Sequence, residues 1–286
     1  MKYAFMAAHE KEFSLKRMCQ VLGVGRSGYY AWRERPQSFR ERENEALLTE
    51  IRSIYQASRK TYGSPRIHAY LRRKGLSCGR NRVARLMKLH KIRARKVARR
   101  HPLTTQQRPG AKTAPNLLNR EFSASAPNRK WVSDFTYIDT AEGWLYLAGI
   151  VDLYSRIVVG WAMTDCMDAN LVENAWQMAI TNRHPATNLL HHSDRGSQYT
   201  SDVYLAQLMN QHCQISMSRT GNCYDNAAME SFFATLKTEC ADHQFPSKAE
   251  ARMVIFEYIE VWYNRQRLHS SLGYLSPLEF EKSSGH

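Results

Sequence analysis

No run in the 286-residue chain approaches the roughly 18 uninterrupted apolar residues of a membrane-spanning helix. Residues 1–13 are polar and lack the apolar stretch of a secretory signal. Both absences point to a soluble, cytoplasmic protein with no membrane partner. The six cysteines, Cys19, Cys78, Cys166, Cys213, Cys223 and Cys240, are scattered and form no CxxC pair, so neither a zinc module nor a redox motif is indicated. Cys240 and His243 stand about one helical turn apart, but a structural zinc takes four ligands, and two are read as incidental. A hydrophobic fraction of 43% and a charged fraction of 23% exclude disordered and fibrous classes. At about 150 residues per domain, the length suggests two domains or one with appendages.

A further absence is local. From Ile51 to Arg120 there is no aspartate or glutamate, against 20 lysines and arginines. Residues 1–130 hold 31 basic residues against 8 acidic, and residues 131–286 hold 10 against 18, so the net charge of +15 is the difference between a strongly basic half and an acidic one. Self-repulsion on that scale calls for a polyanion, and nucleic acid is the obvious candidate. A merely solubilising surface would intersperse both signs.

Helical periodicity organises the basic half. Ser14 is read as an N-cap before Leu15, Met18, Cys19 and Leu22; Gly23-Val24-Gly25 breaks the pattern; a second helix carries Arg26, Tyr29, Tyr30, Trp32 and Arg33. This helix-turn-helix outline, over 1–37, recurs within 38–92. There Ser64-Pro65 is read as an N-cap with proline at the first helical position, Gly75 closes the helix, and the next presents Arg80, Arg82, Arg85 and Lys88 outward, with Val83, Leu86 and Met87 inward. A recognition helix would meet DNA with such a face, so Arg26, Arg66, Arg80, Arg82, Arg85 and Lys88 are the candidate contacts. Periodicity disappears over 93–128, where Pro102, Pro109, Pro115 and Pro127 lie among basic and polar residues; this reads as a basic linker, either a passive spacer or an arm that becomes ordered along DNA.

Residues 129–286 have another texture. Three β-rich runs, Lys130–Thr140, Trp144–Tyr154 and Arg156–Thr164, predict an antiparallel meander. A helix over 168–182, a short strand over 188–192, a helix over 200–212, a strand over 214–218 and a long helical tail from Asn226 follow. The expected fold is α/β with a mixed five-stranded sheet and flanking helices, preceded by an all-α DNA-binding region.

Three acids stand out against this layout. Asp134 interrupts a strand that otherwise reads as central, where a carboxylate is costly unless paired or metal-bound. Asp194 ends a strand, where open α/β sheets put their sites. Glu230 sits at the edge of an apolar helical stripe of Met229, Phe232, Phe233, Leu236 and Cys240, with Lys237 on its face two turns on. Converging carboxylates are the hard oxygen ligands of magnesium, and two ions about 4 Å apart serve in-line attack on a phosphodiester. Alternatively, any one of them caps a helix or pairs with an arginine. Asp152 and Asp225 are the competitors: Asp225 fits an N-cap for the Glu230 helix, and Asp152 could brace the turn into Arg156.

The spacing of Asp134, Asp194 and Glu230, with 35 residues between the last two, resembles the D,D(35)E signature of retroviral integrases and related transposases. Trp131-Val132-Ser133-Asp134-Phe135-Thr136-Tyr137, His192-Ser193-Asp194-Arg195-Gly196-Ser197-Gln198-Tyr199 and Asp225-Asn226-Ala227-Ala228-Met229-Glu230-Ser231-Phe232-Phe233-Ala234-Thr235-Leu236-Lys237 are similar to the catalytic blocks of OrfB-type transposases of the bacterial insertion-sequence family three. The tail Tyr263-Asn264-Arg265-Gln266-Arg267-Leu268-His269-Ser270-Ser271-Leu272-Gly273-Tyr274 and the upstream Tyr62-Gly63-Ser64-Pro65-Arg66-Ile67 resemble further blocks of that family, so the likeness covers nearly the whole chain.

The resemblance implies an RNase H-like catalytic core that cuts and joins the ends of its own element, with Asp134, Asp194 and Glu230 binding two magnesium ions (manganese substituting) and Lys237 touching DNA near the reacting phosphate. It further implies double-stranded DNA as partner at element ends and target, a homo-oligomer on that DNA, an OrfA-type partner and a place at the bacterial nucleoid. No zinc is expected, since nothing supplies the His/Cys module of the retroviral enzymes. No sustained heptad precedes residue 14, so the chain reads as an OrfB product alone or a variant without the upstream part. Two other readings are weighed: a catalytically silent DNA-binding regulator, and an RNase H-type nuclease on RNA–DNA hybrids, which the helix-turn-helix units disfavour because they suit a duplex major groove.

Overall fold

A computed structural model describes residues 1–95, 113–219 and 222–285. Pro102 and Pro109 of the expected linker lie outside them. Two compact units divide the chain, Met1–Arg52 and Ser53–His286.

The first unit holds α1 (Lys2–Ala8), α2 (Leu15–Leu22), α3 (Arg26–Arg33) and the start of α4 (Phe39–Ala57). Its small core is Met6, Met18, Cys19 and Tyr29, so the polar N-terminus still contributes a helix through one buried methionine. Gly23 ends α2 at φ +61°, a left-handed conformation that glycine adopts without steric cost, and this sets the turn into α3.

In the second unit, α5 (Ser64–Arg73) and α6 (Arg80–Leu89) form the next helical pair around buried Ile67, Leu71, Val83, Leu86 and Met87. Gly63, not Ser64, is the N-cap of α5; Ser64 and Pro65 are already helical, a place where the first turn has no N–H partner for proline to lose. Arg80, Arg85 and Lys88 of α6 are exposed and Arg82 is half-buried.

The sheet has the order β3-β2-β1-β4-β5, built from β1 (Lys130–Ile138), β2 (Leu145–Asp152), β3 (Val158–Thr164), β4 (Leu190–Ser193) and β5 (Gln214–Met217). The first three strands pair antiparallel, as expected of a meander; β4 and β5 run parallel to β1. Parallel pairing needs crossovers, which α7 (Ala169–Arg183) and α8 (Asp202–Asn210) supply. One face packs α7 and α8 on Trp131, Ala148, Ile150 and Val159. α7 rides directly over Gly160, where a Cβ would stand 2.2 Å from the Ala175 carbonyl oxygen, so no larger residue fits there. The opposite face, with Val132, Leu147 and Val151, is covered by α9 (Ala227–Glu239) and α10 (Lys248–Phe256).

Two expectations change. The tail from Asn226 is not one long helix: it stops at Cys240, and residues 241–247 cross to the sheet, where Phe245 exchanges backbone hydrogen bonds with Asp139 (2.9 Å) and Ala141 (2.8 Å). Pro246 disfavours a helical Phe245, which makes this break physical. Helix resumes as α10, passes into π-helical turns over Glu257–Tyr263 and ends with α11 (Pro277–Ser283), started by a Ser276/Glu279 capping box. The described end of the expected linker is also no free spacer. Ala114–Leu118 lie along β5, with the Met217 N–H donating to the Pro115 carbonyl (3.3 Å) and the Leu117 and Leu118 N–H groups donating to the Ser216 hydroxyl, covering what would be an open sheet edge.

Candidate active site

β1 is the middle strand, and its period of two turns Asp134 toward the same face as Val132, the face that α9 covers. In the parallel register Val132 pairs with His192, so Asp134 and Asp194 each lie two residues further along adjacent chains. Topology thus brings together two acids that are 60 positions apart. Asp194 leaves the strand in a tight turn, its carboxylate accepting from the Gly196 N–H (2.8 Å). The strand end behind it is fixed by His192, whose ring nitrogens meet the Ser216 and Ser218 hydroxyls at 2.8 and 3.1 Å.

Helix α9 delivers the third acid. Met229, Phe232, Phe233 and Leu236 are buried, as the stripe predicted, and the first three pack over Gly149, which is the cross-strand partner of Asp134. The Asn226 amide donates to the Ser133 carbonyl (3.2 Å) and ties the start of the helix to the strand beside Asp134. Glu230, in the first turn, is half-buried.

The Asp134 carboxyl feels the charges of both other acids. Burial first, then the charges of Asp194 and Glu230, push the Asp134 carboxyl well above its ordinary range, while the Phe135 N–H (2.9 Å) and the Lys237 charge pull the other way. Burial also raises Glu230. Among the described residues, no three His, Cys, Asp or Glu side chains stand at metal-ligand spacing. The donor chemistry nonetheless suits a hard divalent cation, since mutual repulsion of carboxylates in a partly dry site is what such a cation relieves.

Both competitors have other work. Asp152 is fully buried, accepting from Asn128 N (2.6 Å), Tyr154 N (2.7 Å) and Trp131 Nε1 (3.3 Å), so it braces the strand end. Asp225 is not the N-cap of α9: a 3-10 turn over Cys223–Asn226 shifts the helix start and gives that position to Asn226. Its buried carboxylate accepts from the Asn116 amide (2.8 Å), Arg120 Nε (3.0 Å) and the Arg219 N–H (3.0 Å). Burial alone would raise the Asp225 carboxyl, but these donors outweigh it and hold it low.

Other candidates are dispersed. Arg26 is exposed at the start of α3 in the first unit. Arg66 is half-buried, its Nε donating to the Leu268 carbonyl (3.0 Å) and its guanidinium 5.6 Å from the Tyr62 ring centre. Sequence reasoning missed Asn226, although it stands inside a quoted block, because its role is a contact with Ser133, 93 positions away.

Buried His191 and half-buried His269 give the second unit an acid-labile character. His191, 3.1 Å from the Tyr204 hydroxyl, is pushed by burial to about 3; His269, beside Arg267, is pushed by burial and three arginines to about 2. Both folded values lie below the unfolded value near 6.5, so on acidification the unfolded state binds protons that the native state refuses. Stability from these groups is therefore present at neutral pH and is lost as pH falls from about 6.5 toward the depressed values, by up to about 1.4 kcal/mol per pH unit for each histidine. Melting temperature from pH 7.5 to 4.5 should fall, and His191→Gln should flatten the fall; equal slopes for variant and wild type would remove His191 from this account.

The mixed sheet and the basic helical pair agree with the family models that match this chain. Integrase core domain models match residues 124–223 and 211–277, and an HTH-like domain model matches residues 41–101. The chain is 43% identical over 291 residues to transposase InsF for insertion sequence IS3A of Escherichia coli strain K12, covering 99% of both chains. It is 47% identical over 266 residues to an uncharacterized 31 kDa protein of insertion element IS600 from Shigella sonnei, covering 93% of this chain and 97% of that one. The chain belongs to the IS3 transposase family. Among solved structures, a simian T-cell lymphotropic virus intasome in complex with PP2A regulatory subunit B56 gamma is 13% identical with a TM-score of 0.46, covering 81% of this chain and 74% of that one. The HTLV-2 integrase catalytic core domain in complex with magnesium is 14% identical with a TM-score of 0.42, covering 55% and 99%.

Proposed function

We propose that this transposase cuts DNA at the ends of its insertion sequence and joins them to target DNA at a single site formed by Asp134, Asp194 and Glu230. The observation that carries the reading is the Asp134 carboxyl, central in the sheet and raised by burial and by the two other acids. A polynucleotidyl transferase has to gather negative charge around a phosphodiester, and a carboxylate cluster that is unfavourable by itself is the protein half of such a site. Asp134, Asp194 and Glu230 would hold two magnesium ions, with manganese as a substitute. Bound there, the ions would activate a water or a 3′-hydroxyl and stabilise the leaving oxygen.

The protein's own groups supply position and charge. β1 and the turn after β4 fix the two aspartates, and Asn226 holds the start of α9 so that Glu230 meets them from a rigid element. Lys237 lies two turns beyond Glu230 and already lowers Asp134 through its charge, so it is suited to a phosphate beside the acids. Double-stranded DNA is held by the basic helices, with exposed Arg26, Arg80, Arg85 and Lys88, together with Arg82, as the contacts we favour. Two element ends need two active sites, which favours a homo-oligomer on DNA at the nucleoid, with an OrfA-type partner for end recognition. Among the described residues no helix is long and apolar enough to cross a membrane. A silent regulator would have no need to keep three acids at one site, and a hybrid-specific nuclease would have no need of the basic helical pairs.

The test is nicking and joining of labelled duplexes carrying the DNA sequences that flank the gene on either side. Lys237→Ala should lower both rates by about tenfold, the loss of roughly one charge-assisted contact, and Lys237→Glu should lower them further, with melting temperature little changed. An active, correctly joining Lys237→Glu protein would remove this lysine from the site.

A further inference from the structure

On the face of α9 beside the one that carries Glu230 and Lys237, the second unit encloses a pocket of about 350 Å³. Its wall has two arginines from distant elements, Arg66 of α5 and Arg156 of the turn between β2 and β3, and four hydroxyls, Ser231 and Thr235 of α9 with Ser270 and Ser271 of the C-terminal segment. The charge balance there is uneven. Arg267, also on the wall, is neutralised by buried Glu239 at 2.8 Å, and His269 is held neutral beside it. Arg66 and Arg156 make their protein hydrogen bonds to main-chain carbonyls, of Leu268 (3.0 Å) and Phe122 (2.8 Å), and among the described residues neither pairs with a carboxylate. Burial disfavours the charge of both.

Arg156 is placed there under backbone strain. Its φ is +65°, a region that a long-chain residue rarely adopts, and its N–H donates to the Asp152 carbonyl (2.8 Å) to hold the turn. Two half-buried guanidiniums that pair with no carboxylate among the described residues, in a pocket lined by hydroxyl groups, suit a doubly hydrogen-bonding oxyanion. We propose that this pocket seats a backbone phosphate of the bound DNA strand next to the reacting one, with Arg66 and Arg156 supplying charge and the α9 hydroxyls supplying hydrogen bonds. Because Ser231 and Thr235 share α9 with Glu230, a strand crossing that helix reaches the acids and the pocket in succession. The inference rests on the DNA-acting function proposed above.

The test uses the full chain and a labelled mixed-sequence duplex, with affinity followed from 50 to 200 mM salt, the range over which phosphate contacts cost most. Arg156→Asn suits the left-handed backbone and Arg66→Gln can still donate to Leu268, so both variants should fold. Each should bind the duplex several-fold more weakly at the lowest salt and lower the log–log salt slope by about one, the signature of one lost phosphate contact. Their melting temperature without DNA should hold or rise, and Arg156→Lys should restore the slope. Unchanged affinity and slope in both neutral variants overturn the pocket while leaving the transposase reading intact, as does a lower melting temperature with unchanged slope, which would make these arginines structural only. A wild type that fails to bind duplex overturns both readings. In a parallel arm, inorganic phosphate replaces chloride at equal ionic strength. If it raises the wild-type melting temperature, the variants lose that gain and their DNA slope stays unchanged, the site belongs to a free anion and the DNA seat is wrong.

Discussion

Asp134→Asn, Asp194→Asn and Glu230→Gln should each reduce metal-dependent strand cleavage by at least about a thousandfold, the consequence of withdrawing roughly 4 kcal/mol of metal-based stabilisation. Asp134→Asn should at the same time melt higher than wild type in chelator. Its folded carboxyl is raised by burial and by Asp194 and Glu230, so the charged form costs stability at neutral pH and an amide of the same shape removes that cost. Adding magnesium should raise the wild-type melting temperature and leave that of Asp134→Asn nearly unmoved. This opposition separates a functional carboxylate from a structural one, because Asp152→Asn sets an NH2 group against an N–H that a carboxylate oxygen now accepts from, and it should melt lower although burial raises this carboxyl too. A variant of any of the three acids with near-normal cleavage would expel that residue from the site.

The second large effect is on stability. Glu239 at the end of α9 and Arg267 of the C-terminal segment are 5% and 4% exposed and joined through Arg267 Nε and Nη2 at 2.8–2.9 Å, with the Tyr258 hydroxyl (3.0 Å) and Trp262 Nε1 (3.3 Å) donating to the same carboxylate. Burial alone would lower the Arg267 pKa, but the Glu239 charge outweighs it and raises it. Glu239→Gln leaves a buried guanidinium without its counter-charge and should cost about 3–5 kcal/mol. Since about 1 kcal/mol moves the melting temperature of a unit this size by some 2–4 °C, a drop on the order of 10 °C is expected in thermal unfolding. Arg267→Met with Glu239→Leu should lose less than either single change, because no charge is then stranded. A Glu239→Gln protein that melts within a degree of wild type would show the pair to be solvated.

Much of this arrangement is legible in the sequence, and the reason differs by element. Asp134 is visible because a carboxylate in a β-rich run contradicts its surroundings, and the Met229-to-Cys240 stripe is visible because helical burial repeats within one element. Asp194 follows from strand order. What escapes has no local signature. Nothing near Phe245 announces that it pairs with Asp139 and Ala141, more than 100 positions away, and only Pro246 hints that the helix must stop. Asp225 reads as a cap from its neighbours and becomes an arginine anchor only through Arg120, 105 positions distant. Likewise nothing near Arg66 announces that its side chain also meets Tyr62 and the Leu268 carbonyl, 202 positions away. Arg156 carries no sign of its positive φ, because the turn that imposes it is held by the Asp152 carbonyl.

The most direct measurement is strand joining itself. Full-length chain is incubated with a labelled duplex of the element's terminal repeat and a plasmid target, in magnesium and separately in chelator, with Asp134→Asn alongside. The account predicts joined product only for wild type in magnesium, with DNA binding retained by the variant. Joined product in chelator, or from Asp134→Asn, would contradict it.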